Sequence, residues 1–268
     1  MAFLYLRDVR VEFPIYQGGS RSLKKALLAN ATKKGNLTED ASHRVNVVAL
    51  RQLNLSINDG DRLAIIGANG AGKSTLLKVL AGIYQPAHGR VHSLGKVTAL
   101  LTTLVGLNLE ATGRENIIIR GMFMGVHPRE MKSKIEEIAE FTELGAYLDL
   151  PVRTYSAGMM LRLSFAASTA IAPEILLMDE WLSAGDAGFL NKAQQRLARV
   201  VENSSILVLA SHSIPLLQQW CNRAILLDSG ELVASGGVAE VAEIYRTRML
   251  GGQSKATSAN VELATVGG

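Results

Sequence analysis

The chain of 268 residues has little of what stiffens or staples a small fold: one cysteine, six prolines and an aromatic share of 5%. Cys221 has no second thiol to pair with, which excludes an internal disulfide framework. Few prolines and aromatics, set against 25 glycines and 48% hydrophobic residues, exclude a disordered chain and speak against a sandwich. Strands alternating with helices through tight turns fit better, an α/β fold. Long hydrophobic runs are missing too. The longest uncharged stretch, Val97 to Leu109, contains Thr, Gly and Asn and falls short of the ~18–20 apolar residues that cross a bilayer. No apolar stretch follows a basic start at the N-terminus, so a secretory signal is not expected and the chain is expected to stay in the cytoplasm. The five histidines show no metal-ligand spacing, and no repeat of solenoid length is present. The net charge of +4 reads as a solvated surface rather than a nucleic-acid footprint.

What is there falls into alternating pieces. Tyr5 to Phe13 alternates loosely, and Leu53, Leu55 and Ile57 alternate cleanly before the turn sequence Asn58-Asp59-Gly60-Asp61, which predicts a hairpin feeding the buried strand Leu63 to Ile66. Between the first two strands lies a polar, basic insertion, residues 17–45, with a short amphipathic helix at Arg21 to Leu28. Thr75 to Ile83 reads as a helix, and strands are expected around Val91 and from Val97 to Leu101. Pro128 suits a first helical position, and Met131, Ile135, Ile138, Phe141 and Leu144 recur at steps of three and four, which predicts one amphipathic helix from Pro128 to Leu144. Ile175 to Met178, Ile206 to Leu209 and Ala224 to Leu227 read as buried strands, the last followed by a hairpin turn at Asp228 to Glu231. The tail 251–268 is small, polar and aperiodic, and is expected to be disordered.

The chemistry gathers in four places. Gly67-Ala68-Asn69-Gly70-Ala71-Gly72-Lys73-Ser74 follows a strand and opens a helix, the setting of a phosphate-binding loop. There the backbone N–H groups of the glycine-rich turn cradle phosphate, Lys73 reaches the terminal phosphates, Ser74 offers a hydroxyl to Mg²⁺, and the helix dipole adds positive potential. Met178-Asp179-Glu180 ends a buried strand, placing two acids side by side: Asp179 to hold Mg²⁺ through water, Glu180 to orient and deprotonate an attacking water. His212 ends another core strand, where ligands of parallel sheets collect; it either contacts a γ-phosphate or is structural. Tyr155-Ser156-Ala157-Gly158-Met159 precedes a long apolar helix, and from these residues alone Ser156 reads as a helix cap.

The order of these pieces resembles the ATP-binding subunit of ABC transporters: loop, helical insert, Ser-Ala-Gly-Met, Met-Asp-Glu, then Ser183-Ala184-Gly185-Asp186 and His212, from about Leu4 to Tyr245. The signature Tyr-Ser-Ala-Gly-Met, the Thr112-Gly113-Arg114-Glu115-Asn116 stretch before the insert, and Trp181 to Ala187 are similar to the group that exports lipid-linked O-antigen, capsule or teichoic acid. The resemblance implies a P-loop NTPase of RecA-like core with a mostly parallel sheet, an N-terminal antiparallel β subdomain, and a helical subdomain at about 108–172, all within a single domain at 1–250.

It further implies that two copies pair head to tail around two ATP molecules. Gly67, Asn69, Gly70, Gly72, Lys73, Ser74 and Thr75 would hold one ATP, and Ser156, Ala157 and Gly158 of the other copy would complete its site. Glu180, with His212 and Lys73, would serve hydrolysis, Ser74 and Asp179 would hold Mg²⁺, and Asp186 would lie at the dimer seam. Phe13 aligns as the adenine-stacking aromatic, with Tyr16 close by as the alternative. Where most relatives carry a Gln that links the site to the membrane subunit, this chain has Thr102 or Thr103. The expected partners are a second copy, a polytopic membrane subunit and a lipid-linked polysaccharide, with no nucleic acid; the expected location is the cytoplasmic face of the bacterial inner membrane, held peripherally. Only about twenty residues follow Tyr245, so a C-terminal sugar-binding module of the kind some exporters carry is not expected. A teichoic acid exporter is the alternative cargo reading, and a soluble ABC-type ATPase on ribosomes or DNA is the alternative class; one P-loop and no sustained heptads argue against the latter.

Overall fold

The structure, a computed structural model, describes residues 1–14, 37–39, 45–101, 106–179 and 187–248. Strand β1 (Phe3–Pro14) shows why a sheet forms at the N-terminus: Leu4, Leu6, Val9 and Val11 are buried, while Phe3, Tyr5 and Arg7 are exposed. It pairs antiparallel with β3 (Val45–Asn58) on one side and with β5 (His88–Leu94) on the other, and β2 (Leu37–Glu39) adds to β3, giving a four-stranded sheet ordered β2-β3-β1-β5.

The second sheet has six strands ordered β10-β9-β4-β8-β7-β6. Its parallel members are β4 (Arg62–Ile66), β6 (Val97–Leu100), β7 (Ile175–Asp179), β8 (Ile206–Ala210) and β9 (Arg223–Asp228), and β10 (Glu231–Gly236) closes one edge antiparallel to β9. The β9–β10 hairpin forms as expected at Ser229 and Gly230, both at positive φ (50° and 83°). The other expected hairpin does not form. Asn58 and Asp61 do close a turn, with Asn58 N–H donating to Asp61 Oδ2 at 2.9 Å and Asp61 N–H to the Asn58 carbonyl at 2.9 Å. The turn, however, hands the chain from one sheet to the other, since β3 pairs with β1 while β4 lies between β8 and β9. The reason is burial: Leu63 to Ile66 are all covered and so belong in the middle of a two-sided parallel sheet, whereas β3 alternates and keeps one face in water.

One face of the parallel sheet packs on α1 (Lys73–Leu80) and the inner face of the antiparallel sheet, with Leu76, Leu77 and Leu80 against Leu63, Ile65 and Leu177. The opposite face is covered by α6 (Ala187–Glu202), α7 (Ile214–Trp220) and a helix over 238–248.

Between β6 and β7 the chain makes a helical excursion: α2 (Gly113–Phe123), α3 (Pro128–Ser133), α4 (Ile135–Thr142), two 3₁₀ turns (Gly145–Asp149 and Val152–Thr154), and α5 (Ala157–Ser168). It has its own core around Ile117, Met131, Ile138, Leu148 and Leu163. Thr112 opens α2 with a capping box, its hydroxyl accepting from Glu115 N–H while the Glu115 carboxylate accepts from Thr112 N–H. Asn116 is buried and donates to the carbonyls of Asn108, Ala111 and Thr112, which pins the loop that leads in. Thr112 then meets Pro151 in an isolated antiparallel bridge, and Val152 N–H donates to the Ala111 carbonyl at 2.9 Å.

The single helix expected from Pro128 to Leu144 is two. Lys134 interrupts it with an N–H directed to the Met131 carbonyl, three residues back, rather than to that of Glu130, four back, and the Ser133 hydroxyl donates to the Glu130 carbonyl at 2.7 Å, competing with the helical ladder. The excursion is tied to the main body through three rings: Phe141 of α4 lies 5.8 Å from Phe165 of α5 and 5.7 Å from Phe189 of α6, with the Arg196 guanidinium 4.6 Å above Phe141.

Candidate functional site

Three neighbouring parallel strands end on the same side of the sheet, and each delivers one piece of the site. β4 runs into Gly67 to Gly72, β7 ends on Asp179, and β8 leads through Ser211 to His212. In the loop, the glycines are required by geometry. Gly70 and Gly72 hold φ of 79° and 106°, and a Cβ on Gly67 would sit 2.4 Å from the Leu227 carbonyl oxygen. Gly72 is also the N-cap of α1 and brings no side-chain cap, so the first N–H groups of that helix are left for an anion.

Lys73 is 9% exposed, and its ammonium folds back into the loop, donating to the carbonyls of Gly67 at 2.7 Å and Ala68 at 3.1 Å and lying 3.3 Å from His212 Nε2. The structure thus joins Lys73 and His212, which are 139 positions apart in the chain. Asn69, Gly70 and Ser74 are exposed, Thr75 and Asp179 half-buried. Among the described residues no cluster of three or more His, Cys, Asp or Glu side chains is placed to hold a metal. The oxygens of Ser74 and Asp179 are hard donors of the kind Mg²⁺ takes, in the small number it needs when substrate phosphates supply the rest. Glu180, Asp186, Thr102, Thr103 and Tyr16, and the helix at Arg21 to Leu28, lie outside the described residues.

Ser156 does cap α5, its hydroxyl accepting from Met159 N–H at 3.2 Å. Ser156, Ala157 and Gly158 are nonetheless all exposed, and among the described residues no hydrogen bond links them to the Gly67 loop. Phe13 sits at the end of β1, 36% exposed, with its ring edge-on to Tyr84 at 5.2 Å. Tyr84 carries the Lys78 ammonium 5.2 Å over its ring, and sequence reasoning passed over it. An aromatic just beyond the last apolar turn of the helix that begins at Lys73 was the available signal.

Comparison with known proteins agrees with this arrangement. Residues 50–183 match the ABC transporter family. The chain belongs to that family, among the ATP-binding proteins of polysaccharide export systems. It is 42% identical over 230 residues to the O-antigen export system ATP-binding protein RfbE of Yersinia enterocolitica, covering 86% of this chain and 96% of that one. It is 38% identical to RfbB of Myxococcus xanthus, of which it spans 51%, and 38% identical to the teichoic acids export ATP-binding protein TagH of Lactococcus lactis, of which it spans 42%. Among solved structures, the dimeric ATP-binding cassette MJ0796 bound to ADP and Pi has the same fold, with a TM-score of 0.62 at 21% identity over 88% of this chain and 98% of that one.

Proposed function

We propose that the chain is the ATP-hydrolysing subunit of a transporter that exports a lipid-linked polysaccharide of O-antigen or capsule type, working as a head-to-tail pair beneath a separate membrane subunit. The observation that carries the reading is the convergence of the Gly67 to Gly72 loop, Lys73, Asp179 and His212 at the ends of β4, β7 and β8. The loop N–H groups and the start of α1 cradle the ATP phosphates, and Lys73 exchanges its carbonyl partners in the loop for phosphate oxygens. Ser74 and Asp179 are the side chains that would hold Mg²⁺, which when bound neutralises charge on the phosphates. Glu180 takes the proton of the attacking water, and His212, already beside the Lys73 ammonium, faces the γ-phosphate.

Ser156 to Gly158 of the second copy closes over the same ATP, so association follows nucleotide binding and separation follows hydrolysis. O-antigen is the cargo favoured here, because RfbE, named for O-antigen export, is 42% identical to this chain against 38% for TagH. Glu180→Gln is expected to keep ATP affinity, to trap the ATP-bound dimer on size exclusion, and to lower turnover at least ~100-fold. Ordinary turnover in that variant would assign the base elsewhere. Loss of surface polysaccharide in a deletion strain, restored by the wild-type chain and not by Glu180→Gln, tests the cargo.

A further inference from the structure

The outer face of the antiparallel sheet is not used by anything described so far. Its rows are set by the pairing of β1 with β5: Phe3 opposite Leu94, Tyr5 opposite His92, Arg7 opposite Arg90, all exposed. Rows two residues apart lie about 7 Å from each other. Two arginines directly opposed on neighbouring strands repel, an arrangement that natural sheets avoid unless something neutralises it. Among the described residues nothing does. Arg10 is paired with Glu12, but neither Arg7 nor Arg90 has an ion pair among the described residues. The nearest carboxylate in sequence, Asp8, is engaged with the Asn54 amide.

We propose that this face binds an anionic glycan, a sugar or polyol chain carrying phosphodiester groups. One phosphate is gripped between the Arg7 and Arg90 guanidiniums, and the adjoining ring lies against Tyr5. Charge complementarity selects the phosphate, since two guanidinium forks side by side match its oxygens and relieve their own repulsion in doing so. The next row selects what is attached to it: Tyr5, 43% exposed, offers an aromatic face one strand repeat from the arginines. On the other side of Tyr5 the third strand contributes Ser56, and beside Phe3 it contributes Asn58, both exposed small polar groups suited to hydroxyls. That row, together with a net charge of only +4 for the whole chain, favours a glycan over a nucleic acid. A second copy docking face to face through this same sheet is disfavoured by charge, because it would bring its own arginines against these.

The proposal rests on the exporter reading only for which polymer meets the face in the cell, since binding here requires neither nucleotide nor hydrolysis. The test is titration of the full chain, without nucleotide, with a lipid-free glycerol phosphate oligomer, with dextran of similar length, and with a single-stranded oligonucleotide. The phosphate oligomer is expected to bind saturably and more weakly as salt rises, with dextran at least about tenfold weaker. The Arg7→Gln, Arg90→Gln double variant is expected to lose about tenfold or more in affinity while keeping its melting temperature and its ATPase rate. Unchanged affinity in the double variant overturns the site, and tighter binding of the oligonucleotide overturns the glycan. A wild-type chain that binds the oligomer yet fails to hydrolyse ATP sinks the exporter reading and leaves this one standing.

Discussion

Gly158 stands in the first turn of α5, where its φ is not in the left-handed region and a Cβ would meet only Ser156 Oγ, at 3.9 Å. Nothing inside the chain requires glycine there, unlike Gly72, where φ and the Ala49 carbonyl at 2.8 Å both do. Gly158→Ala is therefore expected to leave the single chain as stable as before, or up to about 1 kcal/mol more stable, by urea unfolding. It is expected to weaken the ATP-dependent pair, read by sedimentation velocity with and without ATP. Equal loss of both would place the need for glycine within the fold. Cys221 gives a second prediction at this scale. Burial pushes its thiol from 9.0 up to about 12, with Arg62 pulling the other way. Native protein is expected to react slowly with a thiol reagent at about pH 8, and unfolded protein at the ordinary rate. Because the unfolded chain loses this proton near 9.0 and the folded chain keeps it to about 12, the contribution to stability is flat at neutral pH and falls as pH rises between those values.

Among the elements, α4 joins two cores through a single side chain. Phe141 packs with the apolar cluster of the helical excursion and with the cluster under α6. Phe141→Ala removes contacts from both and is expected to cost roughly 2–3 kcal/mol in chemical denaturation, with the largest loss of amide protection in α4 and α5. Phe141→Leu should recover most of that. The phosphate loop was legible because its chemistry is local: glycines at Gly67, Gly70 and Gly72 followed by Lys73 are a backbone requirement written in residue types. The failed hairpin at Asn58 to Asp61 was not, because the same turn serves whether the flanking strands pair or part, and only the burial of β4 on both faces decides. The break at Lys134 was hidden for a related reason. Met131 and Ile138 are both fully buried on either side of it, so the apolar period continues straight through. The meeting of Lys73 and His212 depends on strand order, which no spacing in the chain encodes.

Taken as a whole, the molecule presents no helix among its described residues long and apolar enough to cross a membrane. On the proposed exporter reading, its attachment to a bilayer is expected to run through a protein partner: the chain should sediment with membranes only when a polytopic subunit is co-expressed, and should leave them on alkaline carbonate washing. Sedimentation with bare vesicles would argue for direct lipid contact. The bridge between Thr112 and Pro151 has a consequence at this scale as well. A peptide whose two ends already touch adds little closure entropy when it grows or shrinks. Residues 112–151 can therefore lengthen or shorten at their loops while β6 and β7 keep their places and the phosphate loop keeps its geometry.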